Sequence, residues 1–145
     1  MHFFNPVPKM KLVEIITNNN TDEIVIKNVI NLINEINYKP ILCKNSPGFI
    51  VNKLLIPQII QSIDMYSKNI SSIKDIDDAI KIGLGHPMGP LKLSDFIGND
   101  VVLSIIKNIE SEEFLATNID GIETLEKMVA QNKLGKKTKQ GFYNY

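Results

Sequence analysis

Hydrophobic positions follow a strand-like period only at the beginning of the chain, and a helical period thereafter. His2-Phe3-Phe4 reads as a strand already in progress. Asn5-Pro6-Val7-Pro8 then predicts a turn or extended connector, since each proline disfavours helix in the residue before it. Residues 11–16 (KLVEII) are rich in β-formers and predict a strand. Its alternation puts Glu14 on the face of Leu12 and Ile16, a costly place for an unpaired carboxylate. Asn18 to Thr21 predict a polar connector with Thr21 as a helix cap, and Ile24, Val25, Asn28, Val29, Leu32, Ile33 and Ile36 repeat at helical spacing to Asn37. Residues 40–44 (PILCK) predict a second strand. Two strands and a helix cannot cover both faces of a sheet, so residues 1–44 are expected to be the edge of a larger α/β domain.

From Ser46 onward every periodic signal is helical. The organising stretch is 46–68 (SPGFIVNKLLIPQIIQSIDMYSK), with Ser46 as the expected cap and Pro47 at the first helical position. Val51, Leu55, Ile59, Ile63 and Tyr66 fall on one stripe, flanked by Phe49, Ile56 and Ile60; Lys53, Gln58, Gln61, Asp64 and Lys68 lie opposite. Asn52 falls between Ile59 and Ile63, inside the apolar stripe, so its amide is expected to have a specific partner. By pattern alone that partner is a structural backbone hydrogen bond rather than a ligand. Pro57 removes one helical hydrogen bond, so packing must hold the helix, with a bend expected there.

Ser72 with Asp75 forms a capping-box pattern before a short helix with Ile76, Ala79 and Ile80 inward and Gly83 at its end. Residues 85–90 (GHPMGP) predict a rigid loop, and Pro90 opens a helix holding Leu91, Leu93, Phe96 and Ile97. Gly98 interrupts it; Asn99 or Asp100 caps a continuation through Val102, Ile105, Ile106 and Ile109. A polar connector and a helix over 122–132 follow, with Leu125, Met128 and Val129 inward. The tail is basic and then aromatic, its lysines read as a solvated face. The fold class is mainly α.

At 145 residues and 43% hydrophobic the chain can build a sizeable core. Formal net charge is zero, which leaves no electrostatic case for nucleic acid or an anionic membrane. No apolar run approaches the ~18 residues of a membrane span and no signal peptide is visible, so a cytoplasmic location is expected. The single cysteine, Cys43, excludes an internal disulfide and fits a reducing compartment. Arginine is absent, while Ile, Asn and Lys are abundant, a bias that fits an AT-rich genome.

Candidate chemistry is sparse. His2 and Glu14 lie on adjacent extended segments that a reversal would bring side by side. A carboxylate on an imidazole fixes its tautomer and stabilises the imidazolium, which is how a general base is set up. A histidine at such a position is more often incidental, and both readings stand on pattern alone. His86, between Gly85 and Pro87, reads as a loop residue, and Cys43 as a small apolar strand residue. No His/Cys cluster supports a metal, and no Gly-x-Gly-x-x-Gly supports a dinucleotide.

Four blocks, His-Phe-Phe-Asn-Pro-Val-Pro-x-Met-Lys-Leu-Val-Glu from His2, Ser-Pro-Gly-Phe-Ile-Val-Asn-Lys-Leu-Leu from Ser46, His-Pro-Met-Gly-Pro-Leu from His86 and Gly-Lys-Lys-Thr-x-x-Gly-Phe-Tyr from Gly135, resemble the 3-hydroxyacyl-CoA dehydrogenase family, especially its bacterial 3-hydroxybutyryl-CoA members. The blocks occur in family order from His2 to Tyr145. The resemblance implies that 1–44 is the last part of a Rossmann domain and 45–145 the helical domain that forms a homodimer. It implies that His2 is the catalytic histidine, Glu14 its partner and Asn52 the active-site asparagine, which reverses the structural reading of Asn52. It implies oxidation of a short-chain 3-hydroxyacyl-CoA to the 3-oxoacyl-CoA, with acetoacetyl-CoA as the reverse substrate. NAD would be held by a nucleotide-binding half, with no cofactor expected on this chain alone. The family's glycine-rich loop, ribose-binding acid and active-site serine are not in this chain, and Lys53 stands where the family usually has arginine. Family members often carry Met before this histidine, so Met1 is expected to match an internal position. The alternative expectation is a non-catalytic helical dimerisation or interaction module.

Overall fold

The computed structural model describes residues 1–109 and 112–145. The fold is mainly α, with seven helices and a three-stranded sheet among those residues. It divides into two compact units, Met1–Asn52 and Lys53–Tyr145.

In the first unit, β1 (His2–Phe3), β2 (Leu12–Thr17) and β3 (Lys39–Lys44) form a sheet in the order β1-β2-β3. The pair β1/β2 is antiparallel and β2/β3 parallel. Residues 5–9 make the reversal, in which the N–H groups of Lys9 and Met10 donate to the Pro6 carbonyl. The crossover between β2 and β3 is α1 (Glu23–Glu35), whose Ile33 packs with Val13 and Ile15, joined by the partly buried Phe3, Val29, Ile30 and Tyr38. Asp22, not Thr21, caps α1: its carboxylate accepts from the Ile24 N–H at 2.7 Å. Thr21 is tied into the preceding Asn18 turn instead. The apolar face expected of α1 is only partly used. Ile33 is 1% exposed, whereas Ile24 is 66% exposed, and Val25, Leu32 and Ile36 are also open. The apolar arc of the helix is wider than the face the sheet offers it.

The long helix α2 (Val51–Ser67) starts later than the sequence predicts. Ser46 does not cap it. The Phe49 N–H donates to the Ser46 carbonyl at 2.9 Å and Gly48 sits at φ 76°, which fits a type II turn with Pro47 and Gly48 at its centre. The Pro-Gly pair was the available sequence signal. Pro57 lies inside the helix, which runs on through it.

In the second unit Ile56, Ile59, Ile60 and Ile63 pack with Ile76, Leu91, Val102, Ile106, Leu125 and Phe142. Of the expected stripe, Leu55 and Tyr66 are only partly buried and join the edge of this cluster. Helix α3 (Ile73–Gly83) starts at the predicted capping box, where the Asp75 N–H donates to Ser72 Oγ at 3.1 Å. Ala79 is exposed rather than inward, and the left-handed residue after the helix is Gly85, at φ 68°, rather than Gly83. Helix α4 (Pro90–Ile97) opens on Pro90 as expected, but Phe96 is on the surface beneath the Lys136 ammonium. Gly98 separates it from α5 (Asn99–Ile109); the side chain of Ile109 lies outside the described residues. Asn99 does not cap α5. It is buried, accepts from Ser94 Oγ and donates to the Lys133 carbonyl and to Asp95. The connector expected between Ile109 and Ile122 lies partly outside the described residues, and within it Glu112–Thr117 form α6. Helix α7 (Ile119–Ala130) follows. Lys136, Lys137 and Lys139 of the tail are exposed, as expected, with Lys137 paired with Asp100, while Phe142 enters the core and Asp95 holds the backbone of the last residues.

Candidate active site

The register of β1 against β2 sets His2 directly opposite Glu14, so both side chains rise from one face of the sheet. His2 Nδ1 and Glu14 Oε2 are 2.7 Å apart. An ionised carboxylate only accepts, so Nδ1 carries a proton, and in the neutral imidazole Nε2 keeps its lone pair. The imidazole is partly exposed, and Glu14 is 1% exposed.

The second carboxylate oxygen of Glu14 is also engaged. Oε1 accepts from the N–H groups of Ile50 and Val51, each at 3.0 Å. These are the open donors at the start of α2, which Ser46 fails to satisfy. Glu14 therefore caps a helix distant in sequence while it holds His2. Burial alone raises its pKa. The hydrogen bonds with His2, Val51 and Ile50 and the charge interaction with His2 outweigh that effect, so the carboxyl sits below its ordinary 4.5.

That shift fixes a sign for stability. A depressed carboxylate contributes stability that is fully present above the ordinary value of 4.5 and is lost as pH falls through the folded pKa. Urea midpoints measured between neutral pH and about pH 3 are expected to fall more steeply for the native chain than for Glu14→Gln. Parallel curves would show that Glu14 is not a linked group.

Two aromatic rings contact the imidazole: Phe4, with ring centroids 4.6 Å apart, and Phe49, at 5.3 Å. Asn52 lies in the first turn of α2 and is half-buried, and its amide makes no hydrogen bond among the described residues. The expected backbone partner is not found. The buried stripe of α2 begins at Ile56, one turn beyond Asn52, so the amide pays no full desolvation cost that would demand one.

Two family profiles match the chain. Residues 48–145 match the 3-hydroxyacyl-CoA dehydrogenase C-terminal domain, and residues 1–46 match the NAD binding domain of the same family. The chain belongs to the 3-hydroxyacyl-CoA dehydrogenase family. The 3-hydroxybutyryl-CoA dehydrogenase of Clostridioides difficile is 48% identical over 145 residues, 100% of this chain and 51% of that protein. The human mitochondrial hydroxyacyl-coenzyme A dehydrogenase is 41% identical over 100% of this chain and 46% of that protein. The crystal structure of M. tuberculosis FadB2 matches with a TM-score of 0.90 at 37% identity, over 99% of this chain and 50% of that one. The chain thus spans about half the length of the curated relatives it matches.

As a member of an oxidoreductase family whose first domain binds NAD, the chain invites a test of its own residues against that cofactor. The connection from β2 into α1 (residues 18–22) has no glycine, and the Asp22 carboxylate already occupies the open N–H at the head of α1. That turn does not fit a pyrophosphate, which needs close backbone approach and no competing anion. Cys43 is a free thiol on β3; burial and the nearby Glu14 charge push its pKa up, away from a nucleophilic thiolate. His86 lies in the loop between α3 and α4. Among the described residues no group of His, Cys, Asp and Glu could hold a metal, and no helix is long and apolar enough to cross a membrane.

Sequence reasoning missed two further buried carboxylates, Asp77 and Asp95, which repeat the device of Glu14. Asp77 accepts from the N–H groups of Leu91 and Lys92 at the head of α4 and from Tyr143 Oη. Asp95 accepts from Phe142 and Tyr143. A signal existed: Asp77 lies four residues after Ile73, and Asp95 four after Leu91, each an acid in an apolar helical register.

Proposed function

We propose that the chain is the C-terminal part of an NAD-dependent 3-hydroxyacyl-CoA dehydrogenase of the 3-hydroxybutyryl-CoA type. In this reading residues 1–44 complete the edge of the nucleotide-binding domain and residues 45–145 form the helical domain. The observation that carries it is the His2–Glu14 pair at 2.7 Å, with the second Glu14 oxygen held by Ile50 and Val51. With Nδ1–H donated to Glu14, Nε2 is the free base, and it takes the proton of the substrate 3-hydroxyl as C3 is oxidised to the ketone. The ionised Glu14 stabilises the imidazolium that forms, and in reverse the imidazolium returns the proton to the developing alkoxide. Asn52, with its amide uncommitted, is assigned to hold substrate or His2. The hydride acceptor NAD belongs to the nucleotide-binding half, since the βα turn of this chain does not fit it. The contribution of this chain is the proton.

The same reading assigns short-chain 3-hydroxyacyl-CoA or acetoacetyl-CoA as substrate, a homodimer through the helical unit, and a cytoplasmic location. The exposed Leu54, Ile70, Ile82 and Leu84 support association. Those residues equally support the second reading, a non-catalytic association module. The deciding experiment follows NADH oxidation by acetoacetyl-CoA with the chain alone and mixed with a separately made nucleotide-binding half. Turnover is expected only in the mixture. Silence in both, with both parts shown to be folded, would overturn the dehydrogenase reading and leave the association module.

A further inference from the structure

One residue near His2 breaks a backbone rule for no packing reason. Five non-glycine residues have positive φ among those described: Asn37, Phe49, Asn69, Asn132 and Lys139. The three asparagines lie just past the ends of α1, α2 and α7, where that residue tolerates the left-handed region. Phe49, at φ 51°, is the aromatic exception, and a bulky residue there is strained. Strain of this kind persists only when the surroundings over-determine it, and it collects at functional sites. Phe49 belongs to neither hydrophobic cluster, so core packing does not explain it. What its ring does touch is the imidazole of His2, with centroids 5.3 Å apart and planes inclined at 54°.

We infer that Phe49 is a positioning residue that holds the imidazole plane of His2 so that Nε2 faces the reacting hydroxyl; this rests on His2 being the base. A single hydrogen bond from Nδ1 to Glu14 fixes one ring atom and leaves the ring free to rock about it. Nε2, on the far side of the ring, moves most in that rocking, and a misplacement of about 1 Å can cost on the order of a hundredfold in rate. Contacts on the ring itself remove that freedom. Phe4 gives one from just past the end of β1, and Phe49 gives the other from the turn before α2. Glu14 sets both parts in one frame. Its Oε2 holds His2, while its Oε1 grips Ile50 and Val51, the two residues after Phe49. The strained turn and the base are referenced to the same buried carboxylate. Glu14 fixes where the ring is anchored, and Phe49 fixes how it is turned.

The test uses Phe49→Leu, which keeps an apolar side chain of similar bulk without a ring, and Phe49→Tyr, which restores the ring. The first readout is the NMR relaxation of the His2 imidazole in this chain, assigned with His86→Gln. The native chain, Phe49→Tyr and Phe49→Leu are all expected to keep the Nδ1–H tautomer that Glu14 sets, while the ring order parameter of His2 falls in Phe49→Leu and not in Phe49→Tyr. In the mixture with the nucleotide-binding half, Phe49→Leu is expected to lower kcat about tenfold or more with KM within about twofold, and Phe49→Tyr to recover it. An unchanged His2 ring order parameter in Phe49→Leu, or no recovery in Phe49→Tyr, overturns the inference. If the native mixture is inactive the dehydrogenase reading fails, and the ring order parameters still decide whether Phe49 orients His2.

Discussion

His2→Gln is expected to lower kcat for acetoacetyl-CoA reduction in the mixture by about 10²- to 10⁴-fold, the range that a positioned acid–base group supplies. The amide keeps a polar side chain of similar size and can still donate to Glu14, but it cannot exchange a proton with the substrate. KM should change far less than kcat, because the lost interaction belongs to the transition state. Glu14→Gln is the instructive companion. Glu14 accepts on both oxygens, from His2 on one side and from Ile50 and Val51 on the other. A glutamine has one acceptor oxygen, so either His2 or the head of α2 must face an NH₂ group. This variant should therefore lose both rate and stability, the latter by roughly 1–3 kcal/mol for the donors left unpaired. Retention of kcat within tenfold in His2→Gln would sink the assignment of the base.

Asp95→Ala is expected to destabilise the chain by about 3 kcal/mol or more, the largest stability loss predicted for a single side chain here. Asp95 is 1% exposed and accepts from the N–H groups of Phe142 and Tyr143, each at 2.9 Å, from Asn99 Nδ2 at 3.0 Å and from Tyr145 Oη at 3.2 Å. Truncation leaves backbone donors of the tail unpaired next to Phe142, which the core has buried. The fit is close on every side. A Cβ at Gly141 would stand 1.9 Å from Asp95 Oδ1, and one at Gly135 would stand 2.2 Å from the Asp95 carbonyl oxygen. The tail backbone therefore runs too close to Asp95 for a side chain at either glycine. Asp95→Asn, which keeps the shape and one acceptor, should fall between the two. Urea unfolding reads the effect as a lowered midpoint at unchanged slope, and amide exchange at Phe142 and Tyr143 should accelerate first. A loss under about 1 kcal/mol would show that the tail is held by Phe142 packing alone.

The sequence was most legible where the deciding interactions are local. The strands at Leu12–Thr17 and Lys39–Lys44, the Ser72 cap, the start of α4 at Pro90 and the break at Gly98 all follow from residues within a turn or two of one another. So does the pairing of His2 with Glu14, because one short reversal joins their strands. Where the reading failed, a distant group had intervened. Ser46 lost the α2 cap because Gly48 and Phe49 leave the helical region and Glu14 supplies the acceptor. The apolar repeat of α1 marked an apolar face, but periodicity does not report how much surface that face meets, and Ile24, Val25, Leu32 and Ile36 are exposed.

The sequence by itself determined the mainly helical class, the order of most elements and the family to which their motifs belong. It also placed His2 and Glu14 on adjacent extended segments that one reversal brings side by side. The tertiary structure decided how three carboxylates are used. Glu14, Asp77 and Asp95 accept backbone N–H groups that lie 36, 14 and 47 residues away in sequence. Periodicity and capping rules reach about four residues along the chain. The choice of donor for a buried carboxylate is made only when packing removes water and brings an open backbone N–H within hydrogen-bonding distance.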